Sequence, residues 1–296
     1  MIASIPGVVD ATYFGAGPAA VSAVDLLIEI PHGATQTIDF TALAVRLSSP
    51  LPDALVDFFH VNTDAGAPEL AEAIAAAFVA AEPARKALVL RCRVPRTFID
   101  CNRNIDAAPE DFKAGKVTPG LMPWITTAED RALLRGLYEA YVGAVGEAAR
   151  SLTPDGAMLL LHTYAPRSVD LTVDLDIVPS LRRAYEPSIE PTWPLRPPID
   201  VISTAGDGTS YAPPEVLAAL QEELAPLPVA ISATYPLHPS TLAYAHVMAR
   251  PGRALCVEVR RDLLADPFTP FAEMKIGAEK VAKLAGPMTT AIRRWW

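Results

Sequence analysis

ALVLRCRVPRTFIDCNRN, Ala87 to Asn104, changes character halfway along. Ala87–Val94 is an almost unbroken aliphatic run, the pattern of a strand buried on both faces. Where that strand should end, Arg96, Asp100, Asn102, Arg103 and Asn104 follow at once. Charges so close to a core are unfavourable unless they are paired or face a wet cleft. In open α/β sheets, ligands bind beyond the carboxyl ends of the strands. This stretch therefore predicts a buried strand with a polar site at its mouth.

Other short apolar runs repeat the first half of the pattern: VDLLIEI (Val24–Ile30), AMLLLHTY (Ala157–Tyr164), IDVIS (Ile199–Ser203) and ALCVEV (Ala254–Val259). Helical patterns lie between them. PELAEAIAAAFVAAE is rich in alanine and opens with Pro68, a favoured first-turn residue. AEDRALLRGLYEAYVGAVGEAAR is longer and amphipathic, and PPEVLAALQEELA and FAEMKIGAEKVAKLA complete the set. Strands alternating with helices predict a mainly parallel sheet covered on both faces. No internal repeat interrupts the chain, and residues 1–296 are expected to form a single domain. Prolines crowd Tyr185–Pro198, which excludes regular helix or a central strand there. A loop or lid around residues 165–198 is the expectation.

The net charge of -9 argues against nucleic acid as a partner, because that binding relies on clustered Lys and Arg. No apolar run approaches a membrane span, and MIASIPGVVDATYFG lacks a basic n-region and a continuous apolar segment. Cys92, Cys101 and Cys256 form no paired framework and sit in or beside apolar runs, which predicts buried free thiols. A cytoplasmic protein acting on a small acidic molecule is the expectation; the sequence leaves its oligomeric state open.

The strand ends supply the candidate site. VDLLIEI is followed by Pro31-His32-Gly33, AMLLL runs into His162, and Asn62-Thr63-Asp64 precedes the alanine-rich helix. Two histidines and a carboxylate suit a catalytic Zn²⁺ site, which uses three protein ligands and leaves one position open. Another divalent ion would accept the same donors, and a hydrogen-bonded structural role is the alternative for each histidine. Glu69 is a second-choice ligand, since a helix dipole already explains an acid in a first turn. His60, His238 and His246 fall in helical or turn contexts and carry no such expectation. Asn102 and Arg103 form either a capped turn with a surface arginine or a clamp for a substrate carboxylate, assisted by Arg96. Asp100 is placed to orient an arginine. Glu258, acidic within an apolar strand, needs a partner, and Arg260 two residues on lies on the same face. That pair is either a structural ion pair or a general base beside a substrate-binding arginine. Arg167, which follows the His162 strand, is a further candidate for substrate binding.

IPHGA, NTDAGAPELA, PRTFIDCNRN, LLLHTYAPR and VEVRRDLL, in that order, together resemble the N-formylglutamate amidohydrolase family. IDCNR and VEVRRDL are the most specific pieces, and the resemblance runs from Ile30 to Leu264. The family is similar in fold and site logic to zinc carboxypeptidases. The resemblance implies a three-layer α/β/α sandwich around a mainly parallel, mixed sheet. It also implies zinc ligands at His32, Asp64 and His162, carboxylate recognition by Asn102 and Arg103, and a catalytic role for Glu258. The implied reaction is hydrolysis of the amide bond of an N-acyl amino acid, with N-formyl-L-glutamate as the named substrate. The alternatives are a deacylase or peptidase acting on another N-acyl amino acid or peptide, and a non-catalytic anion-binding member of the fold. Pro95, Thr163 and the glycine directly after His32 depart from the family's usual pattern.

Overall fold

All five apolar runs are strands. The computed structural model of the chain describes residues 2–15, 23–115 and 117–296. In chain order the elements are β1 (Val9–Phe14), β2 (Val24–Ile30), α1 (Thr37–Ala44), α2 (Leu55–Asn62), α3 (Ala67–Ala81) and β3 (Ala87–Cys92). They continue with α4 (Pro109–Ala114), α5 (Ala128–Arg150), β4 (Leu152–Tyr164), α6 (Ile177–Ala184), β5 (Ile199–Ile202) and α7 (Pro214–Glu223). Last come β6 (Val229–Ile231), α8 (Leu242–Ala249), β7 (Ala254–Arg260) and α9 (Ala278–Ile292). The strands build one seven-stranded sheet in the order β1-β3-β2-β4-β7-β5-β6. Its centre, β3-β2-β4-β7, is parallel, while β1 runs antiparallel to β3 and β5 antiparallel to β7. The sheet is thus mixed and mainly parallel.

Side-chain alternation along these strands creates two apolar layers. Leu26, Ile28 and Ile30 of β2, Leu159 and Leu161 of β4, and Val257 and Val259 of β7 pack with α3, α7 and α9. Leu27, Leu88, Leu90, Met158, Leu160 and Cys256 point to the opposite face, covered by α1, α2, α5, α6 and α8. This is a three-layer α/β/α sandwich, and because both faces are covered the runs show no polar alternation. The three cysteines are buried free thiols. No helix among the described residues is long and apolar enough to cross a membrane.

Several local features differ from expectation. The segment FAEMKIGAEKVAKLA is helical only from Ala278, and α9 then continues through Pro287 to Ile292. Its first half instead folds back in an Ala265–Ile276 bridge, with Gly277 N donating to Leu264 O at 2.9 Å. The antiparallel edge strand β1 was not expected, and neither was α6 within the 165–198 segment. The proline-rich part itself holds only one 3₁₀ turn, Glu190–Thr192.

Candidate active site

Two loops and two paired strands bring the polar residues together on the α5 side of the sheet. Past β2, Gly33 N donates to Ile30 O at 3.3 Å, closing the turn that carries His32. A Cβ on Gly33 would lie 2.7 Å from Arg91 Cγ and 3.1 Å from Cys92 O, so only glycine lets this turn lie against β3. Asp64 occupies the connection between α2 and α3. Its amide donates to His32 O at 3.3 Å, and Thr63 Oγ1 donates to Ala34 O, which stitches the two loops together. Gly66, at φ +91°, supplies the left-handed residue that starts α3. His162 lies near the end of β4 and pairs in register with Glu258 of β7.

His32, Asp64 and His162 are buried side by side. Asp64 Oδ2 lies 3.2 Å from His32 Nδ1 and 3.1 Å from His162 Nδ1, and a ligand atom from each residue falls within 4.8 Å of the others. Ligands on a tetrahedral ion with bonds of ~2.0–2.2 Å are roughly 3.3 Å apart, so these separations suit one. His32 Nε2 meets Asp100 Oδ1 at 2.7 Å, the carboxylate–histidine contact that fixes a ligating ring and leaves Nδ1 for a metal. His162 Nε2 is buried with no hydrogen-bond partner. Burial alone would raise the Asp64 pKa, but His32 and His162 hold it well below the usual carboxylate range. The two nitrogens and one carboxylate fit zinc or a similar divalent ion. Glu69 does not join them: it is exposed on the first turn of α3, where the helix N-terminus explains it.

Asp100 organises the neighbouring cations. Besides His32, it accepts from Arg96 Nη2 at 3.0 Å and Asn102 N at 2.9 Å, and pairs with Arg103 Nη2 at 3.2 Å. Burial raises its pKa, and Arg103, His32 and Arg96 together pull it well below the usual value. Arg103 is only 4% exposed, which excludes the surface-arginine reading. Its Nε donates to Thr118 O at 3.0 Å and its Nη1 to Asn102 O at 3.4 Å. Asn102 Oδ1 accepts from Ala243 N at 3.0 Å. Arg96 Nη1 reaches Asn62 O at 3.3 Å and approaches Asp64 Oδ1 at 3.8 Å. Arg96, Asn102 and Arg103 line a cleft of about 1030 Å³ together with His32, His162 and Glu258.

Glu258 Oε2 is buried and accepts no hydrogen bond. Burial raises the Glu258 pKa above the ordinary value, against the opposing pull of His162 and Arg196. Arg260 is not its partner. The strand ends at Arg260, whose side chain turns to the following 3₁₀ turn, donating from Nε to Asp262 Oδ1 at 2.7 Å and from Nη1 to Arg196 O at 2.9 Å. Arg260 is the last residue of β7, and same-face spacing alone did not decide where its long side chain turns. Arg261, which the sequence did not single out, takes the inward place. It is 3% exposed, donates to Thr163 Oγ1 at 3.3 Å and Thr163 O at 3.1 Å, and lies 3.7 Å from Asp64 Oδ1. Arg167 lines the cleft, but its Nη1 is engaged by Trp193 O at 2.7 Å. Two further buried acids lie on the same side of the sheet. Glu29 accepts from the Tyr141 hydroxyl, and Asp200, level with Glu258, accepts from Ala233 N at 3.1 Å and Thr234 N at 2.7 Å.

A family model described as N-formylglutamate amidohydrolase matches residues 24–265, a span that includes every residue named in this site. No curated protein matches the chain at a significant level. Among solved structures, an N-formylglutamate amidohydrolase from Ralstonia eutropha JMP134 aligns with a TM-score of 0.56 at 16% identity, over 97% of this chain and 99% of its own. A gene product of Agrobacterium tumefaciens aligns with a TM-score of 0.56 at 18% identity, over 97% and 94%. Both share the fold. A metallo-carboxypeptidase from Burkholderia cenocepacia aligns at a TM-score of 0.38 and 15% identity, over 96% of this chain and 60% of its own.

Proposed function

Because the chain belongs to the N-formylglutamate amidohydrolase family, we propose that it is a metal-dependent hydrolase cleaving the C–N amide bond of an N-acyl amino acid. N-formyl-L-glutamate, yielding formate and L-glutamate, is the substrate the family description points to. The observation that carries the reading is the pairing of His162, in the His32–Asp64–His162 cluster, with a half-buried Glu258 that lines the cleft and whose Oε2 has no hydrogen-bond partner. His32, Asp64 and His162 would hold the ion, which when bound supplies Lewis acidity toward a carbonyl and toward water.

The chain's own residues supply the rest. Arg103 and Asn102 hold the substrate's α-carboxylate, and Asp100 keeps Arg103 aimed while fixing the His32 ring. Burial raises Glu258, and a base with a raised pKa is better matched to proton transfer near neutral pH. Glu258 takes a proton from the attacking water as its oxygen bonds to the acyl carbon. It then gives that proton to the departing nitrogen as the C–N bond breaks, leaving the carboxylic acid and the free amino acid. Part of the 165–198 segment, including Arg167, lines the cleft.

The test is metal analysis of the purified protein followed by formate release from N-formyl-L-glutamate. The expected outcome is about one divalent ion per chain, as for a three-ligand catalytic site, with turnover lost on chelation. His162→Ala should lose the ion while the fold survives. Metal-loaded protein that hydrolyses no N-acyl amino acid would overturn the reading.

A further inference from the structure

The cleft is larger than removal of a formyl group requires. At about 1030 Å³ it stands at the upper end of pockets that enclose whole drug-sized ligands, ~300–1,000 Å³. A formyl group carries only a hydrogen beyond its carbonyl, so it would leave much of that space to water. The walls are not suited to water at every point. Beyond Asp64, Arg261 approaches Oδ1 at 3.7 Å, donates from Nη1 to Val61 O and lies within electrostatic reach of Tyr185. Here α2 and α6 face each other, joined by Arg182 Nε donating to Asp57 Oδ2 at 2.8 Å. Phe58 and Val61 of α2, Leu181 of α6 and Tyr185 line the cleft at this end.

The chain between β4 and α6 adds a further apolar side. In Val169–Asp174, VDLTVD, apolar and polar residues alternate: Val169, Leu171 and Val173 are half-buried, while Asp170, Thr172 and Asp174 are exposed. Such alternation ordinarily marks a strand with one face on a core. This segment joins no sheet among the described residues, and Leu171 and Val173 instead line the cleft. A contiguous apolar surface open to a cleft is the mark of a ligand groove.

The substrate's own geometry gives this end an occupant. An amide is planar and trans, so its acyl substituent and the Cα that bears the α-carboxylate leave the C–N bond in opposite directions. With the carboxylate on Asn102 and Arg103 and the carbonyl beside His162 and Glu258, the acyl substituent points away from the clamp. We propose that the α2–α6 end of the cleft, with Leu171 and Val173, is an acyl-binding subsite, and that the preferred substrates carry an extended apolar N-acyl group rather than formyl. The proposal rests on the hydrolase reading and deepens it by naming the acyl group. If these side chains only pack the 165–198 segment against the core, acyl length makes no difference.

The experiment measures kcat/KM for N-acetyl- and N-hexanoyl-L-glutamate, whose amides are electronically alike, on metal-loaded wild type and Leu171→Ser. N-formyl-L-glutamate is run beside them, and binding of acetate and hexanoate is followed by calorimetry. A buried methylene is worth about fourfold, so hexanoyl should exceed acetyl about 10–200-fold in the wild type. Leu171→Ser should lower the hexanoyl value about 5–20-fold and leave the acetyl and formyl values within about twofold. Hexanoate should bind more tightly than acetate by a margin that shrinks in the variant. Where Leu171→Ser does not fold, Val173→Thr, nearly equal in size, reads the same ratio. Hydrolysis of the formyl amide alone, equal values for acetyl and hexanoyl, or equal losses for both in a folded variant overturn the proposal and leave the hydrolase reading intact. If no N-acyl amino acid is hydrolysed but hexanoate binding depends on Leu171, the hydrolase reading falls and the apolar subsite stands.

Discussion

The two faces of the same strands have opposite characters near their carboxyl ends. Toward α3, α7 and α9, the side chains are aliphatic until close to the strand ends: Ile28 and Ile30, Leu159 and Leu161 before Thr163, Val257 and Val259. Toward α5 and α6, the alternate positions carry Glu29, His162 and Glu258, with Asp200 level with Glu258 on the neighbouring strand. Glu29, His162 and Asp200 are as buried as the aliphatic side chains and only Glu258 is half-buried, so exposure does not explain the contrast. One face is specialised for packing, and the other accepts buried polar groups that lower stability unless paired or employed. The difference locates the chemistry on one side and at one end of the sheet.

Glu258 tests that contrast with the largest expected effect. Glu258→Gln keeps the size of the side chain and removes the base. Turnover per folded, metal-loaded molecule should fall ~10²–10⁴-fold, the usual contribution of general acid–base catalysis. Because Oε2 has no hydrogen-bond partner, the variant should be no less stable than wild type in urea. A structural carboxylate would show the reverse: stability lost, activity following the folded fraction. Near wild-type turnover of the loaded variant removes Glu258 from the base role.

Leu159 probes the packing face on the same strand as His162. It is fully buried against the α3–α9 layer. Leu159→Ala should destabilise by about 2–5 kcal/mol, the range for a buried leucine truncated in a close-packed core. Measured per folded molecule, metal content and kcat should match wild type. A large loss of kcat in fully folded protein would mean that the two faces are not separable and that the apolar layer positions the site directly.

The contrast explains what the sequence could disclose. β2 and α5 begin and end where the pattern places them, because the strand is continuously apolar and the helix strongly periodic. The edge strand β1, VDATYF, is short and half polar, and gives no such signal. α6 begins IVP, and a proline in the first turn is compatible with a helix despite its reputation as a breaker. His32 and His162 were visible as lone polar residues at the ends of apolar runs, and Asp64 as an acid just before the alanine-rich helix. Arg196, which also lines the cleft, was not, because its place depends on Tyr164 and Tyr235, which reach it from separate segments. Asp200 was hidden for a similar reason, since its partners are loop amides at Ala233 and Thr234.

Asp130 gives the smallest effect and sharpens the comparison from within the polar side. It too is a buried carboxylate, in the first turn of α5, but it does not line the cleft. Ser48 N donates to it at 3.0 Å, Ser49 N at 2.6 Å and Ser48 Oγ at 3.3 Å, so both oxygens are engaged. Burial would raise its pKa, but the hydrogen bonds from Ser49 and Ser48 outweigh it and hold the pKa well below the ordinary value. Satisfied oxygens mark a structural acid, whereas the Oε2 of Glu258 is unpaired, as the proposed base role requires. Asp130→Asn places an amide against a backbone donor and should cost about 1–3 kcal/mol at neutral pH, with turnover of the folded enzyme unchanged. A carboxylate whose folded pKa is depressed stabilises fully above its unfolded value of ~3.9, and that contribution is lost as pH falls through the folded value. The gap between wild type and variant, read from urea midpoints, should therefore narrow as pH drops below about 4. A gap that stays constant with pH would show that the charge on Asp130 is not what holds the Ser48–Ser49 loop to α5.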